Sequence, residues 1–220
     1  AKQVVDDGGS FEHGIRMAVA ATLVSPYFLF RWELDGAPKN PKAIRSLNEH
    51  ELASRLSYFI WNSMPDDALL ELAQRGQLRK NLSAQIRRML RDAKAQSLVT
   101  SFTGQWLQLR DLETLQPDKR LFGTFNNVIR DDMRRETEML FAHVMRNNRS
   151  VVDFLDADYT FVNERLANWY GLKSLRGDEF QRVSLVGMPR GGVLTHASIL
   201  TITSDPNRTS PVKRGKYVLE

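Results

Sequence analysis

Cysteine is absent from this chain of 220 residues. Without thiols the chain has no disulfide framework, no cysteine nucleophile, no thiolate-ligated zinc and no attachment point for c-type haem. Long apolar runs are also missing, since no stretch approaches the roughly 20 residues that a membrane-spanning helix needs. We therefore expect no cofactor held by this chain and no membrane span.

Basic residues are in slight excess, with 31 Lys and Arg against 26 Asp and Glu and a formal net charge of +5. They are scattered, and the longest basic runs are pairs such as Arg87-Arg88 and Arg134-Arg135. Because nucleic-acid-binding segments concentrate their basic residues, we expect no nucleic acid as a partner. No two of the four histidines are spaced to bind a metal ion from one helix face, so we also expect no metal site.

Apolar residues recur with the period of a helix from Ser10 to Asn148. The predicted fold class is therefore mainly α: a multi-helix bundle with an irregular, turn-rich C-terminal third and at most a minor strand element. The alternation from Phe180 to Val186 predicts a strand, whereas residues 191–201 fit either a helix or a buried extended segment. One apolar stripe at helical spacing is predicted to be core: Leu98, Phe102, Trp106 and Leu109.

Asp35–Pro41 is the clearest linker, because it is rich in Gly, Pro and Asn. We predict three modules: 1–34, a helical segment ending a preceding module; 42–175, a helical core domain; and 183–220, the start of a following module. We expect the last module to be truncated, since its terminal helix is still running at Glu220. Ser46 and Glu49, three residues apart before an apolar run, predict a capping box at a helix start in the core domain.

Oxygen-bearing side chains alternate at Asp156, Asp158 and Thr160, as they do at the opening of a calcium-binding loop. An EF-hand is excluded, because the sixth position of the loop is Phe161 rather than glycine and the twelfth is Ala167 rather than glutamate. A calcium site of another kind stays open. So does the simpler interpretation, in which Asp158 or Thr160 caps the helix that follows.

Ser210 and Lys213 have the Ser-x-x-Lys spacing, in which the lysine can accept the proton of a serine nucleophile. A single such pair is expected by chance in a chain of this composition, and the companion motifs are missing. Ser210 is therefore interpreted as the N-cap of a helix with Pro211 at its first position.

Arginines concentrate near His196, and arginines beside free backbone N–H groups can hold an anion. We predict a polar binding cluster of eight residues: Asp156, Asp158, Glu164, Arg190, His196, Arg208, Ser210 and Lys213. Because a buried guanidinium needs a carboxylate partner, the acidic members are predicted to pair with the arginines. An interface with a neighbouring domain fits the same residues equally well, and the catalytic residues, if any, stay unknown.

Seven ordered motifs cover almost the whole chain: Ser25-Pro-Tyr-Phe-Leu-Phe-Arg31, Leu56-Ser-Tyr-Phe-Ile-Trp61, Met64-Pro-Asp-Asp67, Gln105-Trp-Leu107, Asp156-Ala-Asp-Tyr-Thr-Phe-Val-Asn-Glu-Arg165, Arg190-Gly-Gly-Val-Leu-Thr-His-Ala-Ser198 and Arg208-Thr-Ser-Pro-Val-Lys-Arg-Gly-Lys216. With them the chain resembles the planctomycete-type, cytochrome-c-associated proteins of unknown function. The resemblance implies the end of one family segment through about Arg31, a complete middle segment over about 46–175, and the start of a third from about Val183.

The resemblance further implies a periplasmic or cell-surface location and neighbouring domains as partners, one of which can carry c-type haem. Two functions of different classes follow. The first is a non-catalytic structural or interaction module of an exported redox protein engaged in electron transfer. The alternative is a hydrolase acting on an extracellular polymer, with a polar site around His196 and the Ser/Thr/Arg-rich tail. Convergence of the polar cluster on one pocket would favour the enzyme, and its dispersal over helix caps would favour the module.

Overall fold

The computed structural model describes residues 8–30, 44–172 and 175–219, together with positions 6, 33, 40 and 42. Within these residues the chain forms eleven α-helices and two antiparallel two-stranded sheets, which confirms the mainly α fold class. The predicted linker Asp35–Pro41 lies, except for Asn40, outside the described residues, and so does Glu220. The predicted module boundaries stay predictions.

The elements have the following bounds. The helices are α1 (Phe11–Leu23), α2 (Pro26–Leu29), α3 (Glu49–Trp61), α4 (Asp67–Gln74), α5 (Leu82–Arg91), α6 (Gln96–Trp106), α7 (Asn127–Arg146), α8 (Asp153–Asp156), α9 (Glu164–Trp169), α10 (Ala197–Ile202) and α11 (Pro211–Leu219). The strands are β1 (Tyr159–Val162), β2 (Gln181–Ser184), β3 (Ser204–Asp205) and β4 (Arg208–Thr209). Short 3₁₀ helices span Ala93–Ala95, Leu109–Glu113 and Val193–Thr195.

The described residues divide into two compact units. Unit 1 holds the described residues up to Leu56 and those of Pro65–Asn81. Unit 2 holds Ser57–Met64 and the described residues from Leu82 onward. The residues near the C-terminus, 190–219, therefore fold with α5 to α9 as part of one compact body.

In unit 1, helix α3 begins at a capping box that the sequence analysis places two residues too early. The Glu51 N–H donates to Asn48 Oδ1 at 2.8 Å, and the Asn48 N–H donates to Glu51 Oε2 at 2.9 Å. The predicted pair, Ser46 and Glu49, is wrong because two pairs with the same spacing overlap here. Arg45 favours the second pair, since its guanidinium donates to both carboxylate oxygens of Glu51, at 2.7 and 3.0 Å.

In unit 2, helix α7 packs against α6, β1, α9 and α10. Its buried residues recur every three or four positions, as the inward face of a helix requires. They are Ile129, Asp132, Met133, Glu136, Thr137, Leu140 and Val144. Three of these side chains are polar, so the inward face of α7 carries groups that need hydrogen-bond partners inside the protein.

Strands β1 and β2 pair in antiparallel register, with Tyr159 opposite Ser184 and Val162 opposite Gln181. Strand β2 confirms the strand predicted between Phe180 and Val186. The segment 191–201, for which two interpretations were open, forms a 3₁₀ helix and most of α10, so the helical interpretation is confirmed.

Gly192 allows the chain to enter this last segment in close contact with the end of α8. Its φ is +58°, and a Cβ atom at this position would lie 2.4 Å from the carbonyl carbon of Leu155. Its N–H donates to the carbonyl oxygen of Ala157 at 3.2 Å. A side chain is therefore excluded both by backbone conformation and by space.

The apolar stripe predicted to be core is only partly buried. Leu109 is 1% exposed, but Phe102 is 39% and Trp106 is 48% exposed. The prediction is wrong for these two aromatic residues, because the helical spacing shows which side chains share a face and not whether that face is covered.

Candidate functional site

The eight residues of the predicted polar cluster do not converge on one place. Asp156 and Asp158 are exposed at the end of α8 and in the turn before β1. Glu164 lies in the first turn of α9, where its Oε2 accepts a hydrogen bond from the Gly177 N–H at 2.7 Å. Its Oε1 also pairs with Arg176 at 3.3 Å. The carboxylates therefore do not neutralise the arginines that they were predicted to pair with.

Neither Asp158 nor Thr160 caps α9, so that prediction is wrong. The N-cap is Asn163, whose Oδ1 accepts a hydrogen bond from the Leu166 N–H at 3.0 Å. Thr160 is instead buried in β1, and its hydroxyl is used elsewhere. Asn163 lies immediately before the helix, and an asparagine there is among the preferred caps.

Ser210 and Lys213 have local structural partners. The Lys213 N–H is 3.4 Å from Ser210 Oγ at the start of α11, in agreement with the N-cap interpretation. Lys213 Nζ lies 2.7 Å from Asp205 Oδ1, and this hydrogen bond is the main reason that the pKa of Asp205 is lowered. The Ser-x-x-Lys pair thus lacks a free lysine to accept a proton.

Arg208 also pairs with Asp205, at 3.3 Å, and its side chain is 78% exposed. The prediction that Arg208 is buried beside Asp156, Asp158 or Glu164 is therefore wrong. The reason is local: β3 and β4 form a hairpin in which Asp205 and Arg208 face each other directly.

A different set of polar side chains does lie close together, in the interior of unit 2, and we call this set the sealed network. Its members are Glu136, Thr137, Thr160, Tyr170, His196 and Ser198. At its centre Glu136 is wholly buried. The Thr160 hydroxyl donates to Glu136 Oε1 at 2.6 Å, and the Tyr170 hydroxyl donates to Oε2 at 2.5 Å. Each oxygen of this carboxylate therefore has a hydroxyl donor.

His196 is the one residue of the predicted cluster that belongs to the sealed network, and it is 2% exposed. Its Nδ1 lies 2.9 Å from Thr137 Oγ1, which in turn lies 2.7 Å from Ser198 Oγ. Its Nε2 lies 3.9 Å from Glu136 Oε1 and has no hydrogen-bond partner among the described residues.

Burial lowers the pKa of His196 below its ordinary value of 6.5. The Glu136 carboxylate acts in the opposite direction, and the Arg190 guanidinium adds to the lowering. The imidazole is therefore neutral at pH 7, and its Nε2 lies near the Glu136 carboxyl group without a hydrogen bond.

Glu136, Thr137 and Tyr170 are not among the residues that the sequence predicts for the site. A signal for the first two exists, because they stand three and four residues after Met133 on the face of α7 that also carries Leu140. A glutamate on such a face needs a buried partner. No comparable signal identifies that partner, since Tyr170 is 34 residues away along the chain.

Tyr170 separates the sealed network from an open cavity of about 300 Å³. On the network side its hydroxyl accepts a hydrogen bond from the Ala197 N–H at 2.7 Å. Burial, followed by the Glu136 charge, raises the pKa of Tyr170 well above its ordinary value, so the hydroxyl stays protonated.

The cavity has a largely apolar wall and three arginines, and we call it the arginine pocket. Its larger apolar and aromatic wall residues are Leu115, Phe122, Phe125, Trp169, Tyr170 and Leu200. Its arginines are Arg190, Arg208 and Arg214, and Asp205 is the one carboxylate among the described residues that line it. Two members of the predicted polar cluster, Arg190 and Arg208, thus line this cavity, with His196 behind its wall.

Arg190 is held in place without a carboxylate. Its guanidinium carbon lies 3.9 Å from the centre of the Tyr170 ring, and its Nη1 donates to the Thr195 carbonyl at 2.8 Å. Arg214 Nε lies 3.5 Å from Thr203 Oγ1. In the part of the chain that the structure describes, no carboxylate lies within ion-pair distance of Arg190 or Arg214.

A second surface feature of unit 2 is the aromatic patch, made of the exposed Phe102 and Trp106 and the half-buried Phe141 and Phe154. Neighbouring rings in it lie 5.5 to 5.6 Å apart between centroids. Trp106 and Phe154 meet edge to face, a favourable arrangement for aromatic rings. The patch leaves large apolar side chains in contact with water.

No group of three or more Asp, Glu or His side chains among the described residues is arranged to hold a metal ion. No helix formed by these residues combines the length and the apolar character needed to span a bilayer.

Two family models match the sequence. The model of PSD4, a protein of unknown function (DUF1592), matches residues 47–172. The model of PSCyt3, a protein of unknown function (DUF1588), matches residues 190–220. Both are planctomycete-type, cytochrome-c-associated domains, so the resemblance carried by the sequence motifs is confirmed. No curated protein and no solved structure matches the chain.

Proposed function

The chain belongs to the PSD4 family (DUF1592), and we propose on that basis that it is a non-catalytic interaction module of an exported, c-type-cytochrome-associated redox protein. The family names supply the association with cytochrome c. Export and a part in electron transfer are elements of the proposal. The partner is a haem-bearing domain, because the chain itself has no cysteine to attach c-type haem.

The burial of His196 is the observation that supports this proposal. A hydrolase centred on His196 needs the imidazole within hydrogen-bond reach of substrate or of one water molecule. His196 is instead 2% exposed and faces Thr137 and Glu136. The hydroxyl and ammonium groups of the tail are also engaged, with Ser210 capping α11 and Lys213 paired to Asp205.

The aromatic patch supports an interaction role in a second way. Clusters of exposed apolar side chains with tryptophan at their centre are typical of protein–protein contact sites. Trp106 is 48% exposed and Phe102 is 39% exposed, whereas Phe141 and Phe154 are half-buried beside them. We therefore assign the haem-bearing partner to this patch.

A binding experiment with a matched pair of tryptophans tests the proposal. The chain is titrated into a purified planctomycete-type c-type cytochrome domain, and the dissociation constant is measured by isothermal titration calorimetry. We expect saturable binding that Trp106→Gln weakens about tenfold or more, as a central interface residue does. Trp169→Gln is the control, because Trp169 is also partly exposed but lines the arginine pocket.

An activity experiment tests the alternative. The chain and its His196→Gln variant are assayed for release of reducing ends from extracellular polysaccharides, and we expect no release from either. Hydrolysis by the wild-type chain that disappears in the folded His196→Gln variant would overturn the proposal. So would the absence of any binding to the cytochrome domain.

A further inference from the structure

The arginine pocket combines two properties that a binding site for an organic anion needs. Its wall is built from aromatic and aliphatic side chains, among them Phe125, Trp169 and Leu200. Its charged groups are three arginines against one carboxylate. Ligand sites of this kind are mostly apolar, with a small number of polar groups that fix the orientation of the ligand.

The charge in the pocket is not neutralised by the protein. Asp205 already accepts from Lys213 at 2.7 Å and lies 3.3 Å from Arg208. Among the described residues, Arg190 donates to a carbonyl oxygen and lies over the Tyr170 ring, and Arg214 lies near a hydroxyl oxygen. Their guanidinium groups retain N–H donors for a carboxylate, the anion whose two oxygens match a guanidinium best.

The pocket is also organised before any ligand enters. The Tyr170 ring forms part of its wall, and its hydroxyl is fixed by Glu136 and by the Ala197 N–H. Arg190 is held over that ring, 3.9 Å from its centre, and its Nη1 donates a hydrogen bond to the Thr195 carbonyl. A wall and a guanidinium that are already immobilised lose little conformational entropy on binding.

We propose that the arginine pocket binds a small aromatic carboxylate. The ring of the ligand lies among Phe125, Trp169 and Leu200, and its carboxylate is bound by Arg190 and Arg214. The cavity of about 300 Å³ is at the lower end of the range for ligand sites, which selects a single-ring acid over a nucleotide. This inference is independent of the cytochrome association, because the aromatic patch and the pocket share no residue.

A series of three small probes separates the two halves of the ligand. Phenylacetate carries both the ring and the charge, phenylacetamide carries the ring without the charge, and acetate carries the charge without the ring. Binding to the whole chain is measured by isothermal titration calorimetry. We expect phenylacetate to bind with a dissociation constant below about 1 mM. Each of the other probes binds at least tenfold more weakly.

Two arginines that stack on tyrosines provide a matched pair of variants. The guanidinium carbon of Arg190 lies 3.9 Å from the centre of the Tyr170 ring, in the pocket. Arg182, on strand β2 and outside the pocket, has its guanidinium carbon 4.0 Å from the centre of the Tyr159 ring. We expect Arg190→Gln to weaken phenylacetate binding at least tenfold and Arg182→Gln to leave it unchanged. Arg214→Gln, with thermal melting to verify folding, serves as a second pocket variant should Arg190→Gln not fold.

Three results would overturn the proposal. The first is equal affinity for phenylacetate and phenylacetamide. The second is phenylacetate binding that survives both pocket variants, and the third is no binding of phenylacetate. Because the cytochrome titration uses Trp106→Gln and an unrelated surface, it reports separately on the interaction module, so failure of one proposal leaves the other standing.

Discussion

The two sides of Tyr170 differ in how their polar groups are satisfied. On the hydroxyl side, the Glu136 carboxylate has a donor for each oxygen, and the site is closed to water. On the ring side, Arg190 and Arg214 have no carboxylate partner among the described residues, and the cavity is open. Buried polar groups that hydrogen-bond one another specify the packing of a core. Charged groups at a surface that lack an oppositely charged partner can instead bind another molecule.

Removing the carboxylate at the centre of the sealed network should have the largest effect on stability. Glu136→Ala leaves the hydroxyls of Thr160 and Tyr170 buried without an acceptor, and we expect it to lower the free energy of unfolding by about 3–5 kcal/mol. Urea denaturation measures this loss. The control is Glu113→Ala, an exposed carboxylate paired with Arg134 at 3.3 Å, which should cost less than about 1 kcal/mol. Equal losses would contradict the comparison.

The next largest effect concerns the entry to the segment that carries His196. Gly192→Ala places a Cβ atom 2.4 Å from the Leu155 carbonyl carbon at a φ of +58°. We expect a loss on the order of 3 kcal/mol, from strain and overlap together. Gly171 has a φ of +75° with open space around it, so Gly171→Ala should cost only about 1 kcal/mol. The difference between the denaturation midpoints of the two variants measures the cost of the overlap between the new Cβ atom and Leu155. Similar midpoints would show that α8 shifts and relieves this overlap.

Acid should weaken the sealed side of Tyr170 through His196. Because burial makes the pKa of His196 lower in the folded state than in the unfolded state, the unfolded chain takes up a proton first as the pH falls below about 6.5. The free energy of unfolding is therefore lost from that pH downward, until the pKa of the folded state is reached. Melting temperatures between pH 7.5 and 5 should fall for the wild-type chain and fall less steeply for His196→Gln. The exposed His50→Gln variant should keep the wild-type slope, and an unchanged slope in His196→Gln would rule the explanation out.

The smallest effect is expected at the open side. Arg208 is 78% exposed and pairs with a neighbour in its own hairpin, so Arg208→Ala should leave the melting temperature within about 2 °C of wild type. Arg165 donates to the buried Asp132 at 2.8 Å, and Arg165→Ala should lower the melting temperature by about 2–4 °C or more. A large decrease in melting temperature for Arg208→Ala would contradict this and would support the buried ion pair that the sequence predicts for Arg208.

Local and distant features of the molecule differ in how well the sequence predicts them. Strand β2, the N-cap at Ser210 and the mainly helical class depend on short-range patterns, and each was predicted. The predicted position of the capping box was wrong because two pairs with the same spacing overlap, and the hydrogen bonds from Arg45 favour the second pair. The sealed network was not predicted for a different reason: Thr137 and His196 are 59 residues apart, and no local sequence pattern pairs them.

The order in which the chain is synthesised gives the central carboxylate a further consequence. Glu136 emerges first, and the hydroxyls that satisfy it follow 24 and 34 residues later, at Thr160 and Tyr170. His196, the partner of Thr137, is synthesised later still, 59 residues downstream. Until those residues are present, the inward face of α7 lacks its full set of hydrogen-bond partners, so we expect unit 2 to close late. We therefore expect the closure of unit 2 to depend on residues far downstream of α7, because contacts between distant parts of a chain form late.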